Sequence, residues 1–307
     1  MTDAAADAPK TRTLREGLAA LGLRRAGAML ILGFAAGLPI LLVFSTLSAW
    51  LAVEAVSKTA IGFFAWAGLA YSFKFIWAPL VDRLRLPFLD AMFGRRRAWL
   101  LLAQACLFLT LIFAAGADPS ENLMRLAIAS VLIAFFSATQ DIAVDAWRID
   151  VADDDDQALM VVLYQWGYRF GMILAGFGAL QIADLSSFNV SYAVMAVAIL
   201  LGPLGTLLAP RTADPQAQGG GLETLQQRAG NNPIAEAGVW LYGAIVAPFV
   251  DFIQRYRWLA LFILALIGLY RLTDFVMGYM ANPFYLEMGY SLGDIANVSK
   301  FYGIWVT

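Results

Sequence analysis

Seven uninterrupted apolar runs make up most of the chain, and each has about the 20 residues that a helix needs to cross the hydrocarbon core of a bilayer. In lipid, helices and closed barrels satisfy the backbone polar groups, and runs this long are not the short alternating strands of a barrel. We therefore predict an all-α membrane protein, with an eighth span that begins near Gly293 and continues to Thr307. The complete runs are residues 26–53, 59–81, 98–116, 123–147, 158–183, 190–209 and 258–287.

The composition indicates the same class and excludes several functions. Hydrophobic residues make up 61% of the chain and charged residues 14%, against about 25% charged residues in ordinary soluble domains. The net charge of −2 gives no electrostatic basis for binding nucleic acid. The chain has no histidine, so a carboxylate shifted by burial has to carry any proton that moves near neutral pH. We find no nucleophile–base pair, metal-ligand cluster or phosphate loop in the sequence, so we predict a protein that is not an enzyme and holds neither metal nor cofactor.

The basic residues predict the orientation in the membrane. If the N-terminus is cytoplasmic, the cytoplasmic segments hold 15 of the 21 lysines and arginines, and the opposite loops hold two, Lys58 and Arg125. Such an excess is typical of cytoplasmic loops. We therefore predict that the N-terminal tail 1–25 and the polar segment 210–257 are both cytoplasmic.

The long polar segment divides the chain into two unequal parts. Residues 26–209 contain six spans and residues 258–307 begin a second bundle, which is the layout of a transporter built from two six-helix halves. Within the linker, Ile234–Ile253 is apolar but is interrupted by acidic residues and proline, so we predict an interfacial helix there. The serine–isoleucine spacing of Ser57–Ile61, at the entrance to the second span, recurs as Ser291–Ile295 at the entrance to the eighth.

Two glycine pairs predict where helices approach each other closely. Gly33 and Gly37 lie four residues apart in the first span, and Gly167 and Gly171 do so in the fifth. Small residues at this spacing form one strip along a helix and let a neighbouring backbone come near in a membrane. We predict close helix contacts at both pairs.

The segment between the second and third spans carries a charged motif. Asp82 and Arg83 end the second span, and Gly94 precedes the three arginines Arg95, Arg96 and Arg97. The motif resembles the signature of the major facilitator superfamily, although about ten residues, 84–93, are inserted in it. The resemblance implies a conformational latch, in which an aspartate and guanidinium groups pair differently in the two states of a transporter. The alternative is a basic loop that merely sets the topology.

Six further motifs narrow the resemblance, and they follow one another along the chain as Ile31–Pro39, Ile61–Phe64, Tyr71–Phe75, Gln140–Trp147, Gly167–Met172 and Tyr270–Asp274. Together they resemble the AmpG family of muropeptide permeases, from Leu30 to Lys300. The resemblance implies the major facilitator fold, here a six-helix N-terminal bundle followed by the first one to two helices of the C-terminal bundle. Since the family pattern has more helices after the eighth, we expect the chain to be truncated within that helix.

The same resemblance implies a function, proton-coupled import of anhydromuropeptides into the cytoplasm across the bacterial inner membrane. These substrates are sugar-peptides released in cell-wall turnover. The related acetyl-CoA transporters share a run like Gln140–Asp145, so a carrier of acetyl-CoA or another anion is the alternative within the same fold. A truncated, non-transporting membrane scaffold or signalling protein is the alternative of another class.

Arginines inside the spans are the first candidate substrate contacts, because a charge in lipid is costly and usually faces a cavity. Arg169 lies about 16 Å deep in the fifth span at about 1.5 Å per residue, near the middle of a core about 30 Å thick. Arg271 lies similarly deep in the seventh span. A guanidinium can bind the carboxylates of the implied substrate through two hydrogen bonds. The alternative for both is a structural ion pair, which for Arg271 would involve Asp274.

Polar and aromatic residues of the second, fourth and fifth spans complete the predicted substrate site. They are Tyr71, Lys74, Gln140 and Tyr168. The tyrosines are suited to stack on sugar rings, and the alternative is that they belong to interfacial aromatic belts. The alternative for Lys74 is an ammonium group that reaches back to the membrane surface.

Carboxylates inside the spans are the candidate proton carriers. Asp274 lies deepest, and Arg271 one turn earlier favours its charged form, so a substrate that engages Arg271 would free Asp274 to take a proton. Asp141 is the second candidate, with Asp145 on the same helical face at i+4. We assign Asp145 and Arg148 to the latch, and Asp141 to coupling beside Asp274.

Overall fold

The computed structural model describes residues 17–18, 21–212 and 247–303 of the chain. Every regular element in these residues is a helix, which confirms the predicted all-α class. Six of the described helices are long and apolar enough to cross a membrane. We number them α1 (Leu23–Val53), α2 (Lys58–Ile76), α3 (Arg95–Ala115), α4 (Leu123–Val151), α5 (Asp155–Leu185) and α6 (Phe188–Leu208).

Two more helices follow the linker, α7 (Trp258–Glu287) and the start of α8 (Leu292–Ile295), which continues in a π-helical turn to Tyr302. The predicted interfacial helix, Ile234–Ile253, lies mostly outside the described residues. From residue 247 onward the chain forms the helix Ala247–Tyr256, which meets α7 at Arg257, where φ is 47°. The helices therefore follow the apolar runs of the sequence in number and order.

Four helices begin with a polar side chain that caps their first backbone N–H groups. The side chains of Ser57, Asn122, Ser187 and Ser291 accept hydrogen bonds at the starts of α2, α4, α6 and α8. All four caps lie at one end of the bundle, where the loops are short. Such caps satisfy N–H groups that a helix start would otherwise leave unpaired. Ser57 and Ser291, which share a sequence spacing, also share this structural role, and the isoleucine that follows each of them is buried.

The two glycine pairs bring the backbones of α1 and α5 together, which confirms the predicted close contact. A Cβ atom at Gly33 would lie 2.3 Å from the carbonyl oxygen of Tyr164, and one at Gly37 would lie 2.1 Å from that of Tyr168. A Cβ atom at Gly167 would lie 2.0 Å from the carbonyl oxygen of Leu30. No side chain fits at these distances, so glycine is required for the two helices to pack this way.

Each of these two helices also contains a π-helical turn, and the two turns touch. The turn in α1 is Leu42–Thr46 and the turn in α5 is Leu174–Gly178. A π turn disturbs the regular hydrogen bonds and occurs often at functional sites. The Thr46 hydroxyl donates to the carbonyl oxygen of Ala175 at 2.8 Å, and the Tyr192 hydroxyl donates to that of Leu42 at 2.7 Å. These bonds hold α1, α5 and α6 together at the turns.

α2 is less regular than its apolar run predicts. It contains the 3₁₀ segments Ala65–Gly68 and Lys74–Ile76, and a separate helix, Ala78–Arg83, follows it. Pro79 stands at the start of that last helix, where its missing N–H is tolerated. The irregular stretch places Tyr71 and Lys74 on either side of a change in helical pitch.

α7 and α8 contact the six-helix bundle at the end that carries the four caps. The C-terminal half of α7 packs on α1 and α2, and α8 packs on the end of α5. Tyr279 and Asn282 of α7 are buried there, whereas Leu259, Leu261 and Phe262 near its start are exposed. α7 thus packs against the bundle at the capped end, while the described side chains near its start are exposed.

Gly37→Ala should lower the stability of the bundle, because the added methyl group would overlap the carbonyl oxygen of Tyr168. Overpacking of this kind costs about 1–3 kcal/mol. Thermal unfolding of the purified protein in detergent measures the effect. Gly27→Ala, also in α1, is the matched control, since its Cβ atom would meet nothing within 4 Å. A Gly37→Ala protein as stable as Gly27→Ala would contradict the packing described here.

Candidate functional site

A group of buried polar side chains lies between α2 and α4. Ser137 and Gln140 of α4 are completely buried. The hydroxyl groups of Tyr71 and Ser137 lie close enough to interact with each other, whereas both amide atoms of Gln140 and one carboxylate oxygen of Asp141 form no hydrogen bond with any described residue. Buried polar atoms are nearly always paired in folded proteins, and an unpaired one costs about 1–3 kcal/mol. Unpaired polar atoms this close together indicate a place prepared for a ligand.

Lys74 of α2 faces Asp141 of α4 across this group. The two side chains interact electrostatically, but they do not form a direct ion pair. Asp145 lies one turn further along α4 and adds a second negative charge near Asp141. A charged pair held apart in this way can accept a polar group or a proton between its members.

Two tyrosines of α5 complete the group. The rings of Tyr164 and Tyr168 lie 5.8 Å apart, and the hydroxyl groups of both lie near the carboxylate of Asp141. Their positions follow from the backbone contact with α1, because Gly33 and Gly37 touch the carbonyl groups of these same tyrosines. We call the whole set the central polar cluster; it comprises Tyr71, Lys74, Ser137, Gln140, Asp141, Tyr164 and Tyr168.

A second polar contact, beside this cluster, joins α7 to α1. It was not predicted from the sequence. Asn282 of α7 is completely buried, and its amide donates to the carbonyl oxygen of Ser45 at 2.6 Å and to the Ser45 hydroxyl at 2.9 Å. The amide oxygen of Asn282 and the hydroxyl of Tyr279 have no partner among the described residues. The ring of Phe44 lies 6.0 Å from that of Tyr279 and 6.2 Å from that of Tyr71. Phe44 therefore connects the two polar sites.

The structure brings five of the sequence-predicted site residues into one cluster and places Arg169 outside it. Tyr71, Lys74, Gln140 and Tyr168 join Asp141 in the central polar cluster. Arg169 is exposed on α5, next to Tyr168 in the chain. Arg271 and Asp274 lie within α7, but their side chains are outside the described residues. Among the described residues, no three acidic or cysteine side chains come close enough together to hold a metal ion.

The residues assigned to the latch form two separate contacts at the uncapped end of the bundle. Arg96 is buried at the start of α3, where its guanidinium donates to Asp82 at 2.6 Å and to Asp150 at 2.8 Å. Arg148 pairs with Asp145 at 3.7 Å. Asp150 was missed because it follows the apolar run of α4, and only the folded helix places it opposite Arg96.

The remaining latch residues lie around these pairs. Gly94 has a φ of 83° and precedes α3, a conformation that glycine adopts without strain. The ten inserted residues include the short helix Leu89–Phe93. Arg97 donates to a carbonyl at the end of α6, and Arg95 forms no ion pair with a described residue. The side chain of Arg83 is outside the described residues.

Comparison with known proteins agrees with this architecture. A family model described as acetyl-coenzyme A transporter 1 matches residues 28–193. The anhydromuropeptide permease of Escherichia coli (strain K12) is 38% identical over 286 residues, which are 92% of this chain and 53% of the relative.

Putative transporter AmpG 4 of Rickettsia felis is 35% identical over 277 residues, which are 90% of this chain and 63% of the relative. The chain thus spans between about half and two thirds of the length of these relatives. The matched region includes the central polar cluster and the paired residues around Arg96. These relatives are what the chain is similar to, and the chain belongs to the membrane transporter family that the acetyl-coenzyme A transporter model describes.

Proposed function

We propose that the protein is a proton-coupled secondary transporter that imports anhydromuropeptides into the cytoplasm across the bacterial inner membrane. The observation that carries the proposal is the central polar cluster, whose unpaired polar atoms lie deep in a bundle of spanning helices. The name of the E. coli relative, an anhydromuropeptide permease, supports the choice of substrate. A sugar-peptide carries hydroxyl, amide and carboxylate groups, which are the partners that these atoms lack.

The proposed substrate site is built in two parts. Gln140, Ser137 and the Tyr71 hydroxyl would bind sugar hydroxyl and amide groups, while the rings of Tyr71 and Tyr168 offer apolar faces to the sugar. Arg169 and Arg271 would bind the peptide carboxylates, since a guanidinium matches a carboxylate with two parallel hydrogen bonds. Lys74 would assist from α2. The amide oxygen of Asn282 and the hydroxyl of Tyr279 would close the site from α7.

The proposed orientation places the uncapped end of the bundle in the cytoplasm. The distribution of basic residues supports it. In that orientation the contacts of α7 and α8 close the outer side, where Lys58 and Glu287 form an ion pair at 2.7 Å. The exposed start of α7 would then lie on the cytoplasmic side. Contacts between the two bundles on the outer side alone would suit the inward-facing state of a transporter that alternates between two closures.

The proposed latch is the buried arginine at the start of α3. Arg96 joins the short helix after α2 to the end of α4 through Asp82 and Asp150, with both carboxylates within 2.8 Å. Bonds of this kind would hold the cytoplasmic ends of the first bundle together while the second bundle moves. Asp145 and Arg148 would add a weaker contact on the same side.

A carrier of acetyl-CoA is the second candidate, because the matching family model bears that description. Such a substrate presents several phosphate charges and needs several cations at one place. Within the central polar cluster as defined here, Lys74 is the one basic member, and it already faces Asp141. The seven residues of the cluster therefore favour a sugar-peptide, and acetyl-CoA would need Arg169 and Arg271 to supply the further positive charges.

Asp141 and Asp274 are the proposed proton carriers, and one experiment separates them. Asp141→Asn should abolish uphill accumulation of anhydromuropeptide while exchange of substrate across the membrane continues, because the amide keeps the shape but cannot carry a proton. Uptake into vesicles with and without an imposed pH gradient measures the effect. Asp274→Asn should behave as wild type if Asp141 is the carrier, and should lose accumulation if Asp274 is. Glu121→Gln, in an exposed loop, is the control. Gradient-driven accumulation by both aspartate variants would contradict the assignment.

Arg169→Lys should reduce uptake at least tenfold without reducing the amount of protein in the membrane. Lysine keeps the charge but cannot form two parallel hydrogen bonds, and one charge-assisted bond is worth about 1.5–3 kcal/mol, roughly a tenfold change or more. Arg125→Lys, at the opposite end of α4 from the latch, is the matched control. Uptake by Arg169→Lys equal to that of Arg125→Lys would remove Arg169 from the proposed site.

The orientation is tested by the accessibility of single cysteines. In a Cys106→Ser background, Glu121→Cys should react with a membrane-impermeant maleimide. The reagent is added to cells whose outer membrane has been made permeable and whose inner membrane is intact. Thr212→Cys should react only after the inner membrane is opened. The reverse pattern would place the N-terminus outside and overturn the proposed topology.

A further inference from the structure

Three arginines meet at the uncapped end of the bundle, and each comes from a different part of the chain. Arg24 lies at the start of α1, Arg97 lies at the start of α3, and Arg211 follows α6. Arg24 and Arg211 are close enough to Arg97 to repel its positive charge. We call these three residues the arginine cluster.

Each of the three guanidinium groups is held by a backbone carbonyl. Arg24 donates to Leu208 at 2.7 Å, and Arg97 donates to Leu207 at 3.2 Å, both at the end of α6. Arg211 donates to the carbonyl of Met92, at the end of the short helix Leu89–Phe93. Carbonyls at helix ends are unpaired within the helix and favour cations. These bonds fix the arginines in place but use few of the five N–H donors that each guanidinium carries.

The arginine cluster has no counter-charge among the described residues. None of its three members forms an ion pair with a described carboxylate, and the Nε atom of Arg97 is buried without a partner. Arg96 and Arg148 nearby differ, because Arg96 binds two aspartates and Arg148 binds one, whereas Arg95 also forms no ion pair with a described residue. Like charges that are held together repel one another unless an anion binds between them. The arrangement therefore favours the binding of an anion between the three guanidinium groups.

The surroundings of the cluster indicate what kind of anion it is. The residues that offer their carbonyls, Leu207, Leu208 and Met92, all have exposed apolar side chains. Leu23, beside Arg24, is 87% exposed, and Phe88 of the inserted segment is 85% exposed. A row of exposed apolar side chains around a set of cations is typical of a surface at the boundary between hydrocarbon and headgroups. A soluble anion would satisfy the cations but not this apolar rim.

We propose that the arginine cluster binds the phosphate-bearing headgroup of an anionic phospholipid, with its acyl chains along Leu207, Leu208 and Met92. The charge-assisted bonds would run from Arg24, Arg97 and Arg211 to the phosphate oxygens, for which guanidinium geometry is suited. The lipid would join the starts of α1 and α3 to the end of α6 and to the inserted helix. It would thus stabilise the uncapped end of the bundle, independently of the transported substrate.

The experiment compares thermal unfolding of the purified full chain in neutral detergent with three additives: phosphatidylglycerol, phosphatidylcholine and inorganic phosphate at equal concentration. Phosphatidylglycerol should raise the unfolding temperature above that with phosphatidylcholine by about 2–4 °C, the shift that roughly 1 kcal/mol produces in a chain of this size. Inorganic phosphate should have little effect. Equal shifts with both lipids, or an equal shift with inorganic phosphate, would overturn the lipid assignment.

Substitutions test whether the three arginines cause the shift in unfolding temperature with phosphatidylglycerol. R24Q/R97Q/R211Q should lose most of the phosphatidylglycerol shift, whereas R125Q, with one charge removed at the capped end, should keep it. If the triple variant does not fold, R211Q alone is the second test, since Arg211 is exposed and follows the last turn of α6. A full shift in R211Q and in any folded triple variant, or an equal loss in R125Q, would refute the site.

Discussion

The backbone contact between α1 and α5 is the constraint on which the rest of the bundle depends. In a membrane, apolar surface gains little by leaving lipid, so helix association relies on close packing and hydrogen bonds. Glycines at 33, 37, 167 and 171 let carbonyl groups approach positions where any Cβ atom would overlap them. Since the carbonyls concerned belong to Tyr164 and Tyr168, the same contact sets the height and rotation of these tyrosines. Two of the seven residues of the central polar cluster are therefore positioned by the backbone contact that these glycines allow.

Buried polar groups in this bundle are of two kinds. Some have partners inside the protein and stabilise the fold, and others have no partner among the described residues and mark the candidate site. Arg96 is buried but has two carboxylate partners within 2.8 Å, so its charge is compensated inside the protein. Gln140 is equally buried and has no partner among the described residues. A compensated charge holds helices together, whereas an uncompensated amide lowers stability by about 1–3 kcal/mol. A ligand that pairs such groups recovers that free energy on binding, which is why the second kind marks the candidate site.

Much of the fold could be predicted from the sequence, because in lipid the length of an apolar run fixes the length of a helix. Glycine spacing likewise predicted a close helix contact at each pair, although not that α1 and α5 contact each other. The side-chain pairs that join different helices were harder to predict. Asp150 meets Arg96, and Asn282 meets Ser45, through contacts between residues 54 and 237 positions apart. No pattern in either helix alone encodes such a meeting, since it depends on the rotation of both. Asn282 was also missed because it carries no charge, although any polar side chain deep in a span is costly and needs a hydrogen-bond partner.

The contact between α7 and α1 shows how a closed end can also open. In the π turn of α1, the carbonyl oxygen of Ser45 accepts from the Asn282 amide at 2.6 Å and from the Ser48 hydroxyl at 2.9 Å. If α7 moved away, as the proposed transport cycle requires, Ser48 would stay on the same helix and keep that carbonyl paired. The loss would then fall on the Asn282 amide, and a hydrogen bond contributes a net of about 0.5–1.5 kcal/mol. A contact between α7 and α1 that depends on such weak hydrogen bonds can break and form again. The π turn need not unfold, because the Ser48 hydroxyl still donates to the Ser45 carbonyl. A carbonyl with no second donor would make the same step more costly, so Ser48 is as much a part of the closure as Asn282.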